Sequence, residues 1–392
     1  MNKFLVLLVT VSLALSGAGA VCNSYRERIE IHDMEKADVA RLIKAIKILH
    51  TTMTPNRSWS LFEDFARQHL QVAEQVHGQV MFLPFHRQML YDFETKLLRI
   101  DPKVKMGYWN YTLWSQDPTQ DPFLGLDYFG DTNRSVPLFG NGELSCITNG
   151  KFAGWEDSLG NCVNRQYSIS NRNKVALPTW GLFESFVLDR TASRYNETDA
   201  MRRNLEQLHG SAHVYVNGTM YTMASSMDPI FYFLHGFIDH VWHMWQKKYD
   251  AYEVYVGRNI LNDTTAFRSD AIPGYWDRKV QDVLRSDDDL CILYRPTGYK
   301  VIIDVPIPPP VENITIPVID PTFNERNGIS DEETIKINLE IQLEVKKQNI
   351  RNQQNKDRAS ALATAGNSTS WSVVSTSNVA LGVVITAGWL LV

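Results

Sequence analysis

No hydrophobic run in this chain is long enough to cross a bilayer as a helix: the two candidates, 4–15 and 379–392, fall short of the roughly 20 apolar residues a span needs. A CxxC pair, an HExxH helix, a P-loop and a dinucleotide-binding glycine fingerprint are all missing, so the chemistries those motifs carry have no support. Basic charge is not in excess either. Lys and Arg number 39 against 44 Asp and Glu, and the net charge of −5 argues against a nucleic-acid partner. Cysteine is sparse, with four residues, and histidine is sparse too, with ten in 392. Yet six of those ten fall into two triplets: His69, His77 and His86, then His209, His213 and His235. Neutral imidazole is a ligand well suited to copper, and this clustering is the chain's main chemical signal.

The ends read as processing signals. Residues 1–20 have the order of a secretory leader: Lys3, an apolar run, then Ala18-Gly19-Ala20 as a cleavage site. At the other end, small residues Gly366-Asn367-Ser368, a Ser/Thr/Asn spacer and the apolar stretch 379–392 follow the order of a glycolipid-anchor (GPI) signal. That reading places the chain in the secretory pathway, at the outer face of the cell membrane or secreted, with membrane contact only through the lipid. Sequons at Asn56, Asn133, Asn196, Asn217, Asn262, Asn313 and Asn367 fit a glycosylated surface, while Asn110 sits in an aromatic segment expected to be buried and unmodified. Cys22, Cys146, Cys162 and Cys291 suit two disulfides, with three possible pairings. The local Gly/Asn-rich loop favours Cys146–Cys162, leaving Cys22–Cys291 to tie the ends of the catalytic region.

Four helical patterns organise the region 21–291. The first opens at Ser60 with Glu63 three residues on, a capping box, and carries Leu61, Phe65, His69, Val72 and Val76 before stopping at His77-Gly78. The second is expected to start at Pro84 and run to Asp101-Pro102. The third covers roughly 198–216, and the fourth follows Asp228-Pro229. The long stretch 103–197 reads as loops hung on the bundle. Beyond Cys291 a strand-containing extension (292–345) is expected, with strands at 301–305 and over the strict alternation 335–345. A polar stalk (346–378) and the tail (379–392) follow. The fold class is thus mainly α: a four-helix core holding the metal, long loops around it and a small C-terminal appendage.

His209 and His213 lie four apart, hence on one helical face, and His235 on the next helix can complete a set of three. Zinc in that second trio alone remains an alternative on spacing. Gly78 and Pro84 break what would otherwise be one helix, which frees His77 to turn toward His69 and His86.

The neighbouring residues resemble those of the tyrosinase family of type-3 copper proteins, which includes catechol oxidases and molluscan haemocyanin domains. The resemblance covers about 22–245. His77-Gly78, Phe82-Leu83-Pro84-Phe85-His86-Arg87 and Phe93-Glu94 look like the first copper motif. Leu208-His209-Gly210-Ser211-Ala212-His213, then Asp228-Pro229-Ile230-Phe231, His235, Asp239, Trp242 and Trp245, look like the second. The resemblance implies that His69, His77 and His86 bind CuA, that His209, His213 and His235 bind CuB, and that dioxygen is the co-substrate. Asp239, one turn after His235, is expected to orient an imidazole, with a helix salt link as its other reading. His32, His50, His240 and His243 match no ligand position and read as surface groups or groups behind the ligands, with lining of the pocket as the alternative for His243, two turns from His235 on the same face.

Several positions depart from the family pattern. Phe85 replaces a tryptophan, Leu234 stands where a histidine is common, and Tyr108-Trp109-Asn110-Tyr111 replaces Tyr-Trp-Asp-Trp. Gln75 stands two before His77, so a cysteine–histidine thioether is excluded. Gly210 occupies the position at which an asparagine, with a nearby glutamate, is associated with deprotonating monophenols; Glu206 is the candidate glutamate, and Val214 forms an apolar wall. The resemblance therefore implies a copper phenoloxidase that takes a small catechol or phenol to an o-quinone, favouring diphenols. A non-enzymatic oxygen carrier would bind oxygen without turning over catechol. An inert structural relative would lack stoichiometric copper.

Overall fold

The computed structural model describes residues 22–130, 146–165, 177–189, 198–259 and 264–295, together with Leu339 and Lys346. The chain divides into two compact units, Met1–Lys347 and Gln348–Val392, and every described residue lies in the first. The expected leader, the 370–392 spacer and tail, and the sequons at Asn133, Asn196, Asn262, Asn313 and Asn367 fall outside the described residues.

Five long helices build the core: α1 Lys36–Thr51, α2 Leu61–Gln71, α3 Phe82–Ile100, α4 Thr198–Val216 and α5 Ile230–Tyr249. The first has no counterpart among the four expected helices. Its signal was present, because Val39, Leu42, Ile43, Ile46 and Leu49 recur at helical spacing and are all buried. The Ser60 hydroxyl caps α2 by accepting from the Glu63 N–H at 3.1 Å, one half of the expected capping box, while the Glu63 carboxylate accepts from Arg67 and Ser158 instead. The stripe anticipated through Val72 and Val76 is split: α2 ends at Gln71 and a separate helical turn, Ala73–Val76, follows. Helix α3 starts at Phe82 rather than Pro84, and the proline sits inside the first turn, where it has no N–H to satisfy. Helix α5 is buried nearly all round, as befits a central element.

A small parallel sheet closes one side, in the order β2–β1–β7, from β1 Arg26–Glu30, β2 Met106–Tyr108 and β7 Ile292–Tyr294. Register pairs Arg28 with Met106 on one side and with Tyr294 on the other. Strand β2 lies so close to α5 that a Cβ on Gly107 would come within 2.8 Å of the Phe233 ring. A side chain there would push strand and helix apart. Two short hairpins follow α5: β3 Arg258–Asn259 with β4 Thr264–Thr265, and β5 Ala271–Ile272 with β6 Tyr275–Lys279.

The strands expected at 301–305 lie outside the described residues. In the 335–345 stretch only Leu339 is described, in helical conformation and 66% exposed; the rest of the strand expected there lies outside the described residues. Both disulfides form as expected, Cys22–Cys291 and Cys146–Cys162. No helix among the described residues is long and apolar enough to cross a membrane.

Candidate metal centre

Each histidine is delivered by a different local device. His69 lies in the last turn of α2, and His86 in the first turns of α3. His77 ends the 73–76 turn in extended conformation, and Gly78, at φ +67°, reverses the chain behind it. The Gly78 N–H is caught by the Glu206 carboxylate of α4 at 2.8 Å, which fixes that corner. His209 and His213 share one face of α4, and His235 comes from α5. In each trio the candidate ligand nitrogens all lie within 4.8 Å of one another. His69 and His86 bring their Nε2 atoms to 3.3 Å, and His209 and His235 to 3.2 Å. The trios adjoin, with the His86 and His235 rings stacked at 4.2 Å between centroids.

The backbone sets the tautomers. Nδ1 faces a carbonyl oxygen in His69 (Met223, 2.8 Å), His77 (Ala73, 3.0 Å), His86 (Phe82, 2.8 Å), His209 (Glu206, 2.9 Å) and His213 (Met220, 2.6 Å). A carbonyl only accepts, so Nδ1 carries the proton and Nε2 presents its lone pair to the centre. Burial lowers the pKa of all six imidazoles, to about 4 for His69 and His213; in His77, His86, His209 and His235 repulsion among the imidazoles adds to it. Neutral rings with free lone pairs, and no carboxylate in either trio, are what two imidazole-bound metal ions require. Phe82 and Phe231 wall the centre. Phe82 lies within 6.1 Å of His77, His86, His209 and His235, while Phe231 lies within 6.2 Å of His69, His86, His213 and His235.

Other expected site residues sit differently. Asp239 touches no ligand imidazole. Its carboxylate is buried among Arg87 Nε at 2.5 Å, Arg28 Nη1 at 2.9 Å and the Tyr294 hydroxyl. Burial alone would raise its pKa, but Arg87 and Arg28 hold it below the usual carboxylate range. The salt-link reading is therefore the correct one, although its partners come from β1 and α3 rather than from its own helix. Glu206 likewise commits its carboxylate to the Gly78 N–H and to Arg202 at 2.5 Å. His243 hydrogen-bonds Ser286 at 2.9 Å and neighbours Tyr294. Gly210 is buried within α4, and Val214 is half-buried one residue after His213. The buried Arg28–Glu94–Asp239–Arg87 cluster as a whole was not expected from the sequence, although Asp239 carried a salt-link reading and Arg87 and Glu94 stand in the first copper motif.

Six imidazoles in two adjoining trios on a helical core define a dinuclear metal protein. Residues 59–248 match the tyrosinase family model, described as the common central domain of tyrosinase. The chain belongs to the tyrosinase family of type-3 copper proteins, which bind two copper ions, and its first trio fits CuA and its second CuB. Over 282 residues it is 27% identical to the tyrosinase ustQ of Aspergillus flavus, covering 66% of this chain and 77% of that protein. A tyrosinase of Streptomyces glaucescens is 31% identical over 192 residues, 44% of this chain and 65% of the relative, so this chain spans just under two thirds of it. Among solved structures, a polyphenol oxidase variant from Thermothelomyces thermophila superposes with a TM-score of 0.54 at 18% identity, covering 69% of this chain and 89% of that one. That likeness concerns the fold.

Proposed function

We propose that this chain is an extracellular copper oxidoreductase that oxidises o-diphenols to o-quinones with dioxygen, and that monophenols are the poorer substrates. The observation that carries the reading is the pair of adjoining, neutral, Nε2-directed histidine trios. Copper in both trios supplies two neighbouring one-electron centres, so that two catechols and one dioxygen become two quinones and two waters. The chain's own part is geometric. Backbone carbonyls hold five of the rings in one tautomer, and Phe82 and Phe231 keep water from the imidazoles. The preference for diphenols follows from what stands beside His209: Gly210 has no side chain to take a phenolic proton, and the Glu206 carboxylate is already engaged. A catechol oxidised by electron loss places a smaller demand on such a base than ortho-hydroxylation does.

The compartment is part of the proposal. Two disulfides suit an oxidising space, and the segment order at both ends suits secretion with a lipid anchor. Asn56 is exposed and available to a glycosyl donor, whereas Asn110 accepts from the Thr112 hydroxyl at 2.6 Å beside a fully buried Tyr111. The deciding experiment is oxygen consumption by protein carrying two coppers, with a monophenol and its catechol side by side. Catechol turnover about 100-fold above monophenol turnover is expected, the scale of one missing general base. No uptake with either substrate would sink the reading.

A further inference from the structure

His235 is the exception among the six ligands. Its Nδ1 is buried and has no hydrogen-bond partner among the described residues, while the other five are latched to carbonyl oxygens. What orients the ring is packing, stacked on His86 at 4.2 Å and tilted against Phe231 at 4.1 Å, together with the placement of α5 itself. A stack tolerates sliding far better than a hydrogen bond does, so the position of α5 against α3 decides where this ligand points.

One device fixes that position at the right height. Arg87 directly follows His86, and Asp239 lies one turn after His235 on the same face of α5. Their contact of 2.5 Å joins the two helices immediately beneath the stacked rings. Arg87 grips α5 at two further points: its guanidinium lies 3.6 Å from the Trp242 ring centroid and donates to Gln246 at 3.1 Å. It also donates to the carbonyls of Val283 and Leu284, so the arginine cannot swing away without losing several bonds. Both side chains are buried, so solvent does not screen the pair. Glu94, in the same cluster, accepts from Arg28 of β1 at 3.1 Å and ties α3 to the sheet, meeting α5 only through Arg28, which also donates to Asp239.

We infer that the Arg87–Asp239 pair is the positioning element for His235, taking the place of its absent carbonyl latch and so setting the spacing between the two copper sites. The inference rests on the proposed copper pair but concerns geometry, not substrate.

The test uses the full chain loaded with copper and compares Asp239→Asn, Arg87→Lys and, as the control from the same cluster, Glu94→Gln. Two readouts are independent of turnover: electron paramagnetic resonance of the oxidised protein, in which closely coupled cupric ions are silent, and the rate at which a chelator removes each copper. Asp239→Asn is expected to retain two coppers, to give a cupric signal absent from the unmodified protein, and to release the second-trio copper about tenfold faster than the first. Arg87→Lys keeps the charge but loses the fork that reaches Asp239, and should shift both readouts the same way. Glu94→Gln should destabilise the fold without a signal. A silent, evenly released pair in both Asp239→Asn and Arg87→Lys overturns the inference, and so does a signal from Glu94→Gln equal to theirs. If Asp239→Asn does not fold, Arg87→Lys against Glu94→Gln decides alone. Failure of the phenoloxidase reading looks different, because unmodified protein would then hold a silent copper pair and consume no oxygen.

Discussion

Two layers adjoin across α3 and α5, and they solve the burial of polar groups in opposite ways. In the upper layer six imidazoles stay neutral, and backbone carbonyls satisfy the spare nitrogens of five of them. In the layer beneath, Arg28 and Arg87 face Asp239 and Glu94, two full charges of each sign in a dry interior. A metal ion needs unprotonated nitrogen, so a carboxylate beside the rings would raise their pKa and compete for the ion. The chain keeps carboxylates out of both trios. Neutrality suits the layer that binds, and paired charge suits the layer that holds helices in register.

Replacing a ligand attacks the upper layer and carries the largest expected effect. His213→Ala should bring copper content to about one per chain and abolish catechol-dependent oxygen uptake, because two imidazoles cannot hold the second ion. The fold should survive, since the apoprotein already keeps its rings neutral. Metal analysis with circular dichroism checks this; two retained coppers would break the assignment of the second trio.

Attacking the lower layer should do the reverse. Asp239→Ala leaves Arg87 and Arg28 short of a buried partner, and should cost about 3–5 kcal/mol in urea unfolding. The double change Arg87→Met with Asp239→Leu removes both charges of the pair. It should recover much of that loss while leaving the copper pair poorly spaced. Stability and metal geometry would then part company. Equal losses in the single and double variants would show that packing, not charge, holds this layer.

The upper layer was legible in the sequence and the lower one was not. His209-x-x-x-His213, the Gly78 break and the Asp228-Pro229 start each impose local geometry that one chain segment declares by itself. The capping of Ser60 and the pairing of Cys146 with Cys162 were readable for the same reason. The parallel sheet was hidden because its central strand, Arg-Glu-Arg-Ile-Glu, buries Arg28 and Glu30 and so reads as a solvated stretch. Its partners lie about 80 and 265 positions away in the register pairs Arg28 with Met106 and with Tyr294. Carbonyl latches leave no trace either, since every residue has a carbonyl. Asp239 was visible as a polar residue at helical spacing from His235, but only the fold shows that it faces arginines.

His32 sharpens the contrast within one residue type. Its ring is buried like the six ligands, yet it lies 3.0 Å from Glu30 and 2.8 Å from Asp121. Burial pulls its pKa down, but the hydrogen bonds to Asp121 and Glu30 and their charges outweigh it and raise the value to about 10. Since the folded value exceeds the unfolded one of about 6.5, the His32 contribution is full below pH 6.5 and is lost as pH rises through 10. The ligand histidines titrate with the opposite sign. Their folded values lie below 6.5, about 4 for His69 and His213, so the copper-free protein keeps their contribution above pH 6.5 and loses it as pH falls toward 4. Urea unfolding of the copper-free protein should therefore weaken on both sides of neutrality. His32→Gln should flatten the alkaline limb alone, by on the order of a few kcal/mol between pH 6.5 and 10. An alkaline limb unchanged in that variant would mean that His32 is neutral between its two carboxylates.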